Sequence, residues 1–409
     1  MPDETLADVV ACAFAAVPLR HVGVAVSGGG DSMALLLLMQ DWAMRHGVRL
    51  SAVTFDHGLR AEAPEEAALV ARICAEHEIT HDILTWVGWN GQGNLQASAR
   101  TARYREIARW ARHCGVEVVC LGHTCNDQAE TFLMRLARKS GSDGLRRMAS
   151  SFGAHGVQWM RPLLGVERSK LRQYLKRLGV EWVEDPSNAD DGFERVRVRK
   201  ALDVLAPLGI NAKVLEAVAE NLAAENRLLR HSVLESLRGN VVECFGALSI
   251  RQEAFRALHP EVRRRFLNEA LQWIAGAQYA PRSAAQGGIE RALLEGETQT
   301  LCGVIGWCER DRIWLAREFQ AVKDLKGAPF DGRWRIEGPL DGMDIRALGA
   351  EGLQQCPEWR ALDVPRRALI SLPAVWEAGR LVWSPVSSCK TGHWAERIGP
   401  SFENWLGRD

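Results

Sequence analysis

Apolar and polar positions in the first half of the chain alternate between two patterns. Short apolar runs at 22–26, 50–55, 81–86 and 117–121 have the length of strands, and the β-branched run Val22, Val24 and Val26 reads as a buried parallel strand. Longer segments with helical character separate them: the apolar stretch 33–39, then 64–77, 94–114 and about 126–139. The second of these opens with an acidic turn, as the helix dipole favours. This alternation predicts an α/β fold, a doubly wound parallel sheet with right-handed crossovers. Ligands of such sheets bind at the carboxyl ends of the strands.

The junction of the first strand and first helix is Ser27-Gly28-Gly29-Gly30-Asp31-Ser32. Glycines let a ligand approach the backbone closely, and a glycine-rich turn that opens a helix gathers several N–H donors and a positive dipole end at one point. Such a turn is an anion site, with phosphate or pyrophosphate as its usual occupant. A glycine triplet alone also serves as a tight turn. Asp31 adds information, because an acid beside a phosphate cradle needs a Mg²⁺ or an ammonium group between them. The lysine of G-x-x-x-x-G-K-[ST] is missing, so this is not an ordinary NTPase loop. Two further stretches, 55–60 and 122–130, also follow predicted strand ends, so all three converge on one site. Asp127 and Glu130 share a face in the first turn of their helix. There they stabilise the dipole, hold Mg²⁺ with phosphate oxygens, or bind an ammonium group. His57 and His123 lie on the same loops, facing either a ligand or the backbone.

At 409 residues and 47% hydrophobic, the chain can bury two or three cores. A formal net charge of zero excludes a uniformly basic nucleic-acid binder but allows basic patches. The first residues lack the basic n-region of a signal peptide, and no apolar run approaches membrane-span length. Ten cysteines without a C-x-x-C pair read as reduced thiols of a cytoplasmic protein. Basic residues nonetheless cluster. Arg105, Arg109 and Arg112 form one helical stripe, Arg135, Arg138, Lys139, Arg146 and Arg147 surround a glycine-containing loop, and Arg195, Arg197 and Arg199 would lie together on an extended chain. The loop around Lys139 suits a phosphate backbone beside an active site.

The string S-G-G-G-D-S resembles the pyrophosphate loop of the N-type ATP pyrophosphatases, the PP-loop family. Further motifs resemble those of the tRNA(Ile)-lysidine synthetases: Asp56-His57-Gly58-Leu59-Arg60; Asn94-Leu95 with Ala99-Arg100 and Arg103-Tyr104; Gly122-His123-Thr124 with Asp127-Gln128-Ala129-Glu130-Thr131; Arg161-Pro162-Leu163-Leu164; Asp185-Pro186-Ser187-Asn188; and Phe193 with Arg195, Arg197 and Arg199. The resemblance covers roughly residues 20–205 and thins afterwards. Two positions depart from the family pattern, Lys139 where glycine is usual and Gln96 where glutamate is usual.

The resemblance implies a ligase acting on the wobble cytidine of a tRNA(Ile) with a CAU anticodon. ATP adenylates the cytosine ring oxygen and L-lysine displaces AMP, so that the lysidine-bearing tRNA reads AUA and accepts isoleucine. In that scheme Ser27, Gly28, Gly29, Gly30 and Ser32 hold pyrophosphate, Asp31 acts through Mg²⁺ with Asp127 as a second candidate ligand, and Phe55, Asp56 and His123 surround the adenosine. Asp127 and Glu130 meet lysine or the metal. Arg103 and Arg197 or Arg199 contact the adenylate or the cytidine, and Lys139, Arg146, Arg197 and Arg199 contact tRNA.

Beyond Pro207 the pattern changes. Asn211 caps a helical run to about residue 237, a second run spans 251–275, and 300–308 with 312–315 reads as a strand pair. An apolar run at 368–376 against 381–383 reads as a hairpin. The expected domains are 1–206, the ATP-binding catalytic domain; 207–325, mixed and mainly helical, contacting tRNA; and 330–409, a small β-containing tRNA-binding domain with Arg366, Arg367, Lys390 and Arg397 exposed. Other PP-loop enzymes are the alternatives. A tRNA thiolase commonly uses cysteine pairs, and an amidotransferase-type synthetase needs a glutaminase domain; neither feature is present in the sequence. A tRNA-binding protein with a relic loop would not need Asp31, Asp127 and Glu130 together.

Overall fold

A computed structural model describes residues 2–15, 18–58, 63–86, 95–184, 190–277, 283–388 and 391–408. Leu59, Arg60, Asn94, the 185–188 motif, Lys390 and the side chain of Gln96 lie outside the described residues. The chain divides into two compact units, Met1–Asn226 and Arg227–Asp409.

In the first unit the elements run α1 (Pro2–Phe14), β1 (His21–Ala25), α2 (Gly30–His46), β2 (Arg49–Asp56), α3 (Ala63–Glu76), β3 (Thr80–Thr85), α4 (Leu95–Cys114), β4 (Val118–Leu121), α5 (Cys125–Ala137), the short α6 (Ser142–Leu145), β5 (Ser151–Ala154), β6 (Val157–Met160), α7 (Arg168–Leu178), α8 (Glu194–Leu205) and α9 (Ala212–Leu237), within which the division falls. The sheet order is β3-β2-β1-β4-β6-β5. All neighbours are parallel except the β5–β6 hairpin at one edge. One face packs Val22 and Val24 against Leu35, Leu36 and Met39 of α2, with Val10, Ile73 and Leu171 from α1, α3 and α7 in the same core. The other packs Ala25, Val53 and Leu121 against Ile107, Ala108 and Trp110 of α4. Helices on both faces of a mostly parallel sheet are the doubly wound architecture expected from the sequence.

One expectation for this unit is corrected. The 195–199 segment is helical, not extended, so Arg195 and Arg199 share a side while Arg197 points elsewhere. Alternating Arg and Val mimic a strand, but Val196 is buried, and further along the helix Leu202 packs in one small core with Phe132 and Leu215.

The second unit contains β7 (Val241–Cys244), β8 (Ala247–Arg251), α10 (Gln252–Ala257), α11 (Pro260–Ala275), α12 (Ser283–Glu295), β9 (Gln299–Leu301), β10 (Val304–Glu309), β11 (Arg312–Arg317), β12 (Trp334–Glu337), β13 (Asp344–Ala347), α13 (Gly349–Gln354), α14 (Arg366–Leu369), β14 (Pro373–Glu377), β15 (Arg380–Trp383), β16 (Trp394–Arg397) and α15 (Phe402–Leu406). They build antiparallel sheets ordered β7-β8-β11-β10-β9, β13-β14-β15 and β12-β16. The expected 251–275 helix is two helices, because Pro260 starts a new one with His259 as its cap. The expected 300–308 strand is two strands, turning at Cys302 and Gly303, both with positive φ. The 368–376 run begins as α14, and only its end is strand. Among the described residues, no helix is long and apolar enough to cross a membrane.

Candidate active site

The glycine loop is held open by its own serines. Ser32 Oγ accepts from the Ser27 amide at 3.1 Å and donates to the Gly29 carbonyl at 2.9 Å, with Ser27 Oγ 3.2 Å away. Gly28 has φ +80°, a left-handed conformation that suits glycine, and its carbonyl accepts from the Val183 amide at 2.9 Å. Gly29 precedes α2 with no side-chain cap, so the first-turn amides of that helix are left for an anion. From the end of β4, Gly122 crosses this turn so closely that a Cβ there would stand 3.0 Å from the Ser32 backbone.

Beside the loop lies a cavity of about 340 Å³ at the carboxyl ends of β1, β2 and β4. Ser27, Phe55, Asp56, His57, Arg103 and His123 line it, with Ala25, Val53, Ile107 and Leu121 as apolar walls. This size and mixture suit a small ligand with one flat apolar part and a few polar edges. His123 is held neutral: burial pushes its pKa down to about 3, helped by Arg161, Arg103 and Arg100 against the opposing Asp127. Its Nδ1 is buried without a hydrogen-bond partner among the described residues. Burial also lowers Arg103, with Arg100 adding to the effect. A guanidinium so placed, with no carboxylate partner among the described residues, favours a ligand that brings negative charge.

Next to the cavity is a buried acid cluster. Thr124 caps α5 in a reciprocal box with Asp127, whose Oδ2 accepts from the Thr124 amide at 2.9 Å and hydroxyl at 2.8 Å. That cap fixes the first turn and turns Asp127 Oδ1 and Glu130 inward. Both face Arg168, at the start of α7. Its Nε donates to Asp31 at 2.8 Å, and its two Nη atoms lie 3.4 Å from Asp127 and from Glu130. Arg199 Nε donates to Glu130 Oε1 at 2.6 Å, while Arg195 stands 3.9 Å from Oε2. Glu130 is fully buried, and its Oε2 has no hydrogen bond among the described residues. Burial drives Asp31 above the ordinary carboxylate range, Asp127 adding to it and Arg168 opposing. Burial acts the same way on Asp127, but Arg168, His123 and the Thr124 hydrogen bonds outweigh it and hold this carboxyl low.

Asp31, Asp127 and Glu130, three residues predicted from sequence, are thus brought together, and the loop, Phe55, His123 and Arg103 meet at the cavity. Arg199 is engaged with Glu130, and Arg197 bonds the 191 and 192 carbonyls. Lys139 and Arg146 are exposed on the loop after α5. Lys139 has φ +58°, the conformation that glycine adopts freely, which explains why the pattern it departs from has glycine there. Arg168 was not foreseen. It follows Arg161-Pro162-Leu163-Leu164 without a signature of its own, and is positioned by two bonds between α5 and the segment leading into α7: Cys125 N–H to Val166 O and Arg168 N–H to Asn126 Oδ1, each 2.9 Å.

Residues 2–205 match the model of a family described as a PP-loop domain. Over 388 residues the chain is 43% identical to a protein named tRNA(Ile)-lysidine synthase from Ruegeria pomeroyi, a match covering 94% of this chain and 92% of that one. It is 34% identical over 393 residues to the protein of the same name from Brucella anthropi, covering 88% and 84% of the two chains.

Proposed function

The chain belongs to the tRNA(Ile)-lysidine synthase family of PP-loop enzymes, and we propose that it joins L-lysine to the wobble cytidine of a tRNA(Ile) with a CAU anticodon, in the cytoplasm, at the expense of ATP. The cytosine ring oxygen attacks the α-phosphorus of ATP and pyrophosphate leaves. The lysine ε-amine then attacks the activated ring carbon, and AMP departs with the oxygen. The observation that carries this reading is the convergence of an anion loop, a nucleoside-sized cavity and three carboxylates at one end of the sheet.

The free amides of the loop and the hydroxyls of Ser27 and Ser32 bind the phosphates and stabilise the leaving pyrophosphate as preorganised donors. Adenosine occupies the cavity, its base against the backbone around Phe55 and Asp56, with neutral His123 offering a nitrogen rather than a charge. Arg103 meets the α-phosphate or the adenylated cytidine. Asp127 and Glu130 hold the lysine ammonium, and one of them receives the proton that the amine must lose before attack. The rest is positioning: two substrates held at attack distance on a rigid sheet edge.

Asp31 and Asp127 are hard oxygen donors facing one point, now taken by a guanidinium. Mg²⁺ takes most of its ligands from phosphates and water, so it asks the protein for only one or two carboxylates. Asp31, with Asp127, would hold it, and bound there it would neutralise charge on the pyrophosphate. The exposed basic groups Lys139 and Arg146, and the second unit with Arg366 and Arg367, contact the tRNA backbone; Arg397, expected to be exposed, is instead half-buried, stacked on Trp273 and bonded to the Pro400 and Trp273 carbonyls. Supplying purified protein with the tRNA, ATP and each amino acid in turn tests the assignment. Lysine alone should enter the tRNA with one AMP released per residue; incorporation of a different amino acid, or modification without AMP, contradicts it.

A further inference from the structure

Three carboxylates meet three guanidinium groups at the acid cluster; Arg195 stands off at 3.9 Å from Glu130, and the two closer cations are held differently. Arg199 makes one short bond to Glu130 from α8. Arg168 spans the whole cluster, reaching Asp31 in the first turn of α2 with one nitrogen and Asp127 and Glu130 on α5 with the other two. Its contact with Asp31 is short, and the other two, at 3.4 Å, are long for charge-assisted bonds. Both guanidinium groups lie on Glu130 Oε1, leaving buried Oε2 unfilled. An acceptor left open in a site this buried is unfavourable unless a ligand fills it.

We propose that Arg168 is a built-in stand-in for the substrate ammonium, which keeps lysine out until nucleotide arrives and so imposes an order of binding. Arg168 is a positioning residue, and the proposal rests on the assignment of lysine to Asp127 and Glu130. The physical reason is charge exclusion. An ammonium cannot settle between Asp127 and Glu130 while a guanidinium already faces both. A polyphosphate in the glycine loop changes the balance, because it places negative charge directly beside Asp31. The guanidinium, already within hydrogen-bond distance of Asp31, then turns towards the phosphates, where its charge is needed most. Asp127 then loses its guanidinium, Glu130 keeps Arg199 on Oε1, and the pair becomes an ammonium site, with Glu130 Oε2 as the acceptor that was waiting. By linkage, lysine tightens nucleotide binding by the same factor that nucleotide tightens lysine binding.

Calorimetric titration of L-lysine into the full-length protein, with and without α,β-methylene ATP and Mg²⁺, tests this. Wild type should bind lysine at least about tenfold more tightly with the analogue, a coupling of about 1.4 kcal/mol. In Arg168→Gln the two affinities should agree within about threefold, because lysine binding to the nucleotide-free protein rises. Arg168→Lys, which keeps the charge but reaches fewer carboxylates, should retain an intermediate coupling, and it decides the matter if Arg168→Gln does not fold. Equal lysine affinity of wild type in both states, or undiminished coupling in the variants, overturns the proposal. Glu130→Gln separates this from the underlying reading. If that variant binds lysine as wild type does, the lysine assignment itself falls. If it loses lysine while Arg168→Gln keeps the coupling, only the ordering role falls.

Discussion

Each unit buries an ion cluster, and the two are built on opposite plans. In the second unit Asp331 takes a two-pronged grip from Arg317, at 2.8 and 2.9 Å, with Arg333 3.6 Å away, all three side chains largely hidden from solvent. Arg317 also donates to the Gly303 carbonyl at 3.0 Å and Arg333 to the Gly246 carbonyl at 3.1 Å, while Arg333 Nε is buried without a hydrogen bond among the described residues. Both carboxylate oxygens are filled, and every partner belongs to a turn or strand end. Arg333 has its pKa pushed down to about 10 by burial and stays charged at neutral pH. In the first unit, by contrast, three carboxylates face Arg168, Arg199 and, 3.9 Å away, Arg195; two contacts of Arg168 are long, and one oxygen of Glu130 has no hydrogen bond among the described residues. A cluster that closes on itself and on backbone carbonyls fastens the fold. One with long contacts and an open acceptor next to an anion loop is made to exchange partners.

That contrast can be broken experimentally. The largest effect is expected at Asp331. Asp331→Ala strands two buried guanidinium groups and should cost about 3–5 kcal/mol of unfolding free energy, measured by denaturant melts with a probe in the second unit. A loss below about 1 kcal/mol would show that this cluster is not structural. Asp31→Ala should do the reverse. It removes one of three crowded carboxylates, so stability should hardly move, while AMP formation should fall by about 10²–10³-fold, or about 3–4 kcal/mol in the barrier, with tRNA affinity intact. Near-normal turnover would exclude Asp31 from the phosphate chemistry. The smallest effect is expected at Lys139. Lys139→Gly relieves a left-handed lysine but adds chain entropy, so stability should change by less than about 1 kcal/mol. The slope of log tRNA affinity against log salt should flatten by roughly 0.7–0.9, the loss of one phosphate contact. An unchanged slope would leave Lys139 as a surface residue only.

The parts of the site carried by local sequence were legible and those made by tertiary contact were not. Ser27 to Ser32, His123 and the pair Asp127 and Glu130 each sit at a strand end or helix start, where chain direction fixes what faces the ligand. Arg168 could not be read this way. It becomes part of the site only because α7 packs on α2 and its first amide bonds Asn126 across the start of α5. The same limit applies to the fold. The parallel strands announce themselves as apolar runs, whereas the β5–β6 hairpin is short and only partly buried. Helix α8 hides behind alternating Arg and Val because its burial is set by Phe132 and Leu215. In the second unit, Pro260 and the Cys302–Gly303 turn divide runs that periodicity alone joins.

On this reading Glu130 serves lysine and not the nucleotide. Steady-state kinetics of Glu130→Gln, with lysine and ATP varied in turn at saturating tRNA, tests it most directly. Removing the charge should cost about 2–5 kcal/mol in the ammonium contact, raising the KM for lysine by at least about thirtyfold while the KM for ATP stays within about twofold. A comparable rise in the KM for ATP with lysine unaffected would contradict the account and move Glu130 to the phosphate site.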